Sequence, residues 1–142
     1  MTMRILVALD GSEPSLKAID YVLRLHAAVS DMEVHLLNVQ VPLESGHVRM
    51  FISHEDLQEY YREQGQAALK AGRERLEQAG LPCQVHVAVG HSADTIAHFA
   101  RERGLDTIVM GSHGHSSLGH LLLGSVTSEV IRLANVPVTV AK

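Results

Sequence analysis

The sequence has one cysteine, no tryptophan, four prolines and 4% aromatic residues, and each shortage narrows what the chain can be. Cys83 alone cannot form an internal disulfide, so a reducing compartment is expected. No apolar run approaches the roughly 18 residues that span a bilayer. The opening M-T-M-R-I-L-V-A-L-D lacks the apolar core and cleavage site of a signal peptide, and a cytoplasmic location is the expectation. Positive charge is scarce as well: 12 Lys+Arg against 16 Asp+Glu give a formal net charge of -4, with no basic cluster. Nucleic acid is therefore not an expected partner, because binding its phosphate backbone needs a positive face. No membrane partner is expected either. The absence of G-x4-G-K-[S/T] excludes a P-loop NTPase. The S-G-G-x-D-S pattern of ATP pyrophosphatases is missing too, and no H-x-G-H of nucleotidyl transferases follows the first strand pattern.

What is present is a soluble, single-domain composition: 142 residues, 46% hydrophobic and 20% charged, enough for one sizeable core. Ile5 to Leu9 is an unalternating apolar run, as in a strand covered on both faces. It stops at Asp10-Gly11-Ser12, where Ser12 can cap a helix with its stripe at Leu16, Ile19, Leu23 and Ala27. Val34 to Val41 reads as a second strand ended by Pro42. A loop to Ile52 carries Gly46 and His47, and Ser53-x-x-Asp56 then opens a long helix with a stripe at Leu57, Tyr61, Ala68, Leu69 and Leu76. Gly65 and Gly72 weaken that helix, as if a neighbouring backbone came close. Val85 to Val89 is a third strand, followed by a helix with Ser92 as N-cap and Ile96, Phe99 and Ala100 inward. Thr107 to Met110 is a fourth strand, Ser125 to Ala134 a helix, and Val136 to Ala141 a last strand whose proline suits an edge or a strand start. Five strands alternating with four helices predict an open, doubly wound, Rossmann-like parallel sheet in the order 3-2-1-4-5.

The most informative stretch runs from Val109 to Glu129, with Gly111-x2-Gly114-x9-Gly124-Ser125 between a strand and a helix. Such a loop suits a backbone-lined anion cradle, because glycines remove the Cβ and the helix start offers unpaired N–H groups. No Asp, Glu, Lys or Arg occurs from Gly111 to Ser128, so an anion there would be held by backbone, hydroxyl and imidazole groups. In the predicted sheet Asp10 and this loop meet at the switch point of the strand order, where ligands of open α/β sheets sit. By itself Asp10-Gly11-Ser12 reads equally well as an Asp-Gly turn with no ligand.

Taken together, I-L-V-A-L-D-G-S at 5 to 12, L-L-N-V at 36 to 39, D-T-I-V-M-G-S-H-G at 106 to 114, L-L-L-G-S-V-T at 121 to 127 and V-P-V-T-V at 136 to 140 resemble the universal stress protein family across essentially the whole chain. The glycine spacing is similar to the signature of members that bind ATP. The resemblance implies that Ala8, Leu9 and Asp10 line the adenosine end and that Val39 meets the adenine through its main chain. It implies further that Gly111, Gly114, Gly124, Ser125, Val126 and Thr127 hold phosphates and ribose, with Met110 beside the ribose and His113 and His115 at the rim. The implied ligand is ATP, with AMP or ADP as alternatives and with or without Mg2+. A homodimer through Val136 to Ala141 and a regulatory role in stress response, with little or no hydrolysis, are implied too. The alternative is a slow ATPase or adenylate-handling enzyme of the same architecture. Without a lysine in the loop, phosphoryl transfer would lack charge neutralisation, and no catalytic residue is assigned.

Ten histidines invite a metal centre, most obviously at His113, His115 and His120. No carboxylate or cysteine accompanies them in the loop, so solvated or phosphate-contacting imidazoles are expected and no dedicated metal site. His26, His35, His54, His86 and His98 fall within helix or strand patterns and are expected at the surface or satisfied in the interior. Many relatives carry arginine where this chain has His115 and a basic residue where it has His120. If these imidazoles meet the phosphates, nucleotide affinity strengthens as pH falls from about 8 to about 6. Equal dissociation constants by titration calorimetry across that range would contradict this.

Overall fold

The computed structural model describes residues 1–43, 52–114 and 123–142. His47, His115 and His120 lie outside these residues. In chain order the elements are β1 Met3–Ala8, α1 Glu13–Ala28, β2 Met32–Gln40, α2 His54–Gln78, β3 Cys83–Val89, α3 Ser92–Glu102, β4 Thr107–Gly111, α4 Ser125–Leu133 and β5 Val138–Ala141. All pairings are parallel and the strand order is β3-β2-β1-β4-β5, as the strand-helix alternation requires.

Alternation along the strands splits the interior into two layers. Ile5, Val7, Leu9, Val34 and Leu36 pack with Leu16, Ile19 and Val22 of α1 and Leu69 and Leu76 of α2. Leu6, Ala8, Leu37, Ile108 and Met110 pack on the other face with Ile96 and Ala100 of α3 and Val130 of α4. The unalternating apolar strands follow from this, since both sheet faces are covered. Helix starts are fixed by side chains where the sequence offers them: Ser12 accepts from Ser15 N, and Ser53 from Asp56 N.

Several boundaries differ from expectation. The last strand begins at Val138, because the Pro137 carbonyl turns to accept from Ile108 N at 3.0 Å and from Thr107 Oγ1 at 2.9 Å. The N-cap of α3 is His91, without a side-chain cap bond, and Ser92 is the first helical residue. Ala27 faces solvent, and the inner stripe of α1 runs through Ser15, Leu16, Ala18, Ile19 and Val22. His26 departs from the pattern of satisfied histidines, as its buried Nδ1 has no hydrogen-bond partner. The buried stripe of α2 is Tyr61, Gly65, Leu69, Gly72 and Leu76, so both glycines sit in the packed face, and what approaches them is side chain and not backbone. A Cβ on Gly72 would meet Leu9 Cδ1 at 2.6 Å, and one on Gly65 would meet Val87 Cγ1 and Cγ2 at 2.4 and 2.5 Å.

Val87 is β-branched and stiff at χ1, so it cannot easily yield to a methyl group. Gly65→Ala should gain about 1 kcal/mol of helix propensity and lose roughly 1–3 kcal/mol to overpacking. The expected outcome in urea denaturation is a lower midpoint, and a higher one would show that the helix shifts to make room.

Candidate functional site

Strand order reverses between β1 and β4, and the chain leaves both strands there in opposite directions. Asp10-Gly11-Ser12 makes the first exit. Gly11 has φ 86°, a conformation costly for other residues, and Asp10 Oδ1 accepts from Ser12 N at 2.9 Å and Ser12 Oγ at 2.5 Å. Ser15 Oγ in turn donates to Ser12 O at 2.8 Å. One carboxylate oxygen of Asp10 is therefore committed to its own turn. The other, Oδ2, faces Gly114, where a Cβ would come within 2.2 Å of it.

The second exit is built from Gly111 to Thr127. A Cβ on Gly111 would lie 2.4 Å from Pro14 O and 3.0 Å from Ser15 Cα, so this glycine lets the start of α1 press against the end of β4. Gly124 N donates to Ser112 O at 2.7 Å and closes the base of the loop. Thr127 Oγ1 donates to Gly111 O at 2.9 Å, which ties α4 to β4. Thr127 is 3% exposed, and its hydroxyl is spent on this tie, leaving the amide as its contribution to the crevice. Gly111, Gly114 and Gly124 all have ordinary negative φ, so close approach and not left-handed backbone explains them.

Helix α4 starts at Gly124 without a side-chain cap. The bond from Ser128 N to Gly124 O is its first. The amides of Ser125, Val126 and Thr127 thus precede the helical ladder and form the positive end of the helix dipole. Between these amides and β2 lies a cavity of about 290 Å3. Twelve of the expected residues line it: Ala8, Leu9, Asp10, Val39, Met110, Gly111, His113, Gly114, Gly124, Ser125, Val126 and Thr127. His115 lies outside the described residues. Among the described residues no lysine or arginine lines it.

Five lining residues were not anticipated: Ser15, Leu37, Asn38, Ser92 and Ile96. Leu37 and Val39 share a strand face at spacing two, and Ser92 and Ile96 share a helix face at spacing four, so periodicity contained the signal. Asn38 is the lone amide in an apolar run; it is 3% exposed, donates to Leu9 O at 2.8 Å and accepts from Gln40 Nε2 at 2.6 Å. It holds the end of β1 to β2. His113 Nδ1 lies 2.9 Å from Ser112 Oγ. Among the described residues no group of three His, Cys, Asp or Glu side chains is arranged to hold a metal, and no helix is long and apolar enough to cross a membrane.

The crevice has an apolar slot at the β2 end, a carboxylate at its centre and a helix start at the far end. Together with the sheet order these define a Rossmann-like α/β protein with one crevice at its switch point. Residues 1–142 match the universal stress protein family, and the chain belongs to that family. It is 34% identical to universal stress protein MJ0531 of Methanocaldococcus jannaschii over 98% of this chain and 81% of that one. It is 30% identical to universal stress protein YxiE of Bacillus subtilis over 100% of both. Universal stress protein Slr1230 of Synechocystis is longer, and the match spans 41% of it. The solved structure of MJ0577 superimposes with a TM-score of 0.85 at 33% identity, covering 100% of this chain and 96% of that one. An Archaeoglobus fulgidus universal stress protein in complex with dAMP shares the fold, with a TM-score of 0.68 at 24% identity over 99% and 98%.

Proposed function

We propose that the crevice binds an adenine nucleotide, ATP in the first place and AMP or ADP as alternatives, and that the chain is a regulatory nucleotide-binding module in stress response. The observation that carries this reading is the pairing of an apolar slot with an uncapped helix start and a glycine loop, at opposite ends of one cavity. The slot between Ala8, Leu37, Val39, Ile96 and Met110 accepts a flat base, and the unpaired amides of Ser125, Val126 and Thr127 suit phosphate oxygens. The dAMP bound by the relative from Archaeoglobus fulgidus is a ligand of the same class.

Among the described residues Asp10 is the only carboxylate lining the cavity. Its position between slot and helix start suits a ribose hydroxyl, and any Mg2+ would arrive held chiefly by the phosphates themselves. Among the described residues no lysine or arginine lines the cavity to stabilise a departing phosphate, which favours retention without turnover. A homodimer through the β5 edge and a cytoplasmic location belong to the same proposal. The half-buried face of β5, which pairs only with β4, supports the dimer, since open strand edges favour a partner.

Mass spectrometry of small molecules released from the purified protein, prepared with and without magnesium, should detect an adenine nucleotide. Gly114→Val, which drives a side chain into Asp10, should weaken ATP binding by at least about tenfold. Steady ADP release that disappears in Asp10→Ala would favour the hydrolase, and unchanged affinity in Gly114→Val would show that the loop is not part of the site.

A further inference from the structure

Away from the crevice, a chain of polar groups runs from the partly exposed Arg4 and Glu33 through the buried His35 to the half-buried His86 beneath α3. His35 in β2 is 2% exposed. Its Nε2 lies 2.6 Å from Glu33 Oε1 and its Nδ1 lies 3.0 Å from Nε2 of His86 in the edge strand β3. The two imidazoles are stacked, with centroids 5.2 Å apart and planes at 17°. Phe99 of α3 covers His86 at 4.8 Å, and Arg103 lies over the Phe99 ring at 4.7 Å. Arg4 of β1 holds Glu33, with Nε 3.4 Å from Oε2.

Proton accounting limits what this chain of contacts can carry. The 3.0 Å line between His35 Nδ1 and His86 Nε2 has room for one hydrogen. With both rings neutral, His35 Nε2–H donates to Glu33 and His86 Nε2–H donates to His35 Nδ1. One added proton is tolerated, with His35 then donating in both directions. A second puts two N–H groups face to face, so the contact must break.

We propose that the His35–His86 pair is an acid-released latch that fastens edge strand β3 and the Phe99 end of α3 to strand β2. Glu33 is hydrogen-bonded to His35, Arg103 stands against a charge on His86, and Arg4 is engaged with Glu33. On α3, His98, Arg101 and Glu102 are exposed and interact with one another, His98 Nδ1 lying 3.2 Å from Arg101 Nη2 and 4.0 Å from Glu102 Oε1. Burial first, then the Arg103 and His35 charges, push the His86 imidazole below its ordinary range. The sign follows. The unfolded chain takes up this proton near pH 6.5 while the folded chain resists it, so the latch is fully effective above that pH and lost progressively below it. The hydrogen bonds from His35 and Arg4 hold the Glu33 carboxyl below its usual range, so its contribution is lost only at more acid pH, as it protonates. The two groups therefore act in different windows.

The test compares denaturant unfolding of the nucleotide-free protein with that of His86→Gln, whose amide can donate to His35 Nδ1 but cannot take a charge. Below about pH 6.5 the folding equilibrium constant of the wild type should fall more steeply than that of the variant, by up to about tenfold per pH unit. His98→Gln, at an exposed histidine of the same helix, should follow the wild type. Parallel curves for wild type and His86→Gln, or flattening by His98→Gln, would overturn the proposal. Should His86→Gln not fold, hydrogen exchange of the wild type decides. Protection of β3 and α3 should drop between about pH 7 and about pH 5.5 before that of β1 does, and equal retention in all three would overturn it.

Discussion

The contact on which the site depends is the approach of α1 to β4 at Gly111, where a Cβ would sit 2.4 Å from the Pro14 carbonyl. It brings the two exits from the switch point into close contact. Asp10 can then turn through Ser12 while its second oxygen backs onto Gly114. From the same point, the Thr127 hydroxyl reaches Gly111 O and orients α4 so that its first amides border the cavity. Larger residues at Gly111 would move α1, and with it the geometry of both loops.

Beyond the Asp10 carboxylate, the positive electrostatics of the crevice among the described residues come from aligned backbone amides and not from lysine or arginine. A helix start provides about half an elementary charge, spread over several N–H groups, and it needs no counter-ion when empty. Such a site can accept an anion without the concentrated positive charge that stabilises a phosphoryl-transfer transition state. In the proposed complex the apolar slot would add affinity by burying a base, a contribution that does not depend on the charge state of the phosphates.

Much of this was legible in the sequence because it rests on spacing. Apolar strands of four to nine residues between amphipathic helices dictate a sheet covered on both faces, and a sheet of that kind places its loops at one edge. The glycine spacing marked the loop after β4, but not what each glycine does: Gly111 faces Pro14, Gly114 faces Asp10, and neither needs positive φ. Those are contacts between segments about a hundred residues apart, which periodicity does not encode. Asn38 shows the same limit, since an amide within an apolar strand can be recognised but its bond to Leu9 O depends on how two strands end beside each other. His35 and His86 lie 51 residues apart, and only the register of β2 against β3 reveals that they meet. The boundary errors at Val138 and His91 have a local cause, a proline carbonyl and a loop residue taking places that propensity assigns elsewhere.

The central claim is that one crevice, bounded by the ends of β1, β2 and β4 and the start of α4, receives the nucleotide. It is tested most directly by following backbone amide resonances while AMP is added to the isotope-labelled protein. The account predicts saturable shifts at Ala8, Leu9 and Val39 for the base and at Gly124, Ser125, Val126 and Thr127 for the phosphate. Unperturbed amides at these positions under saturating AMP, or shifts confined to the opposite groove beside Tyr61 and Val89, would contradict it.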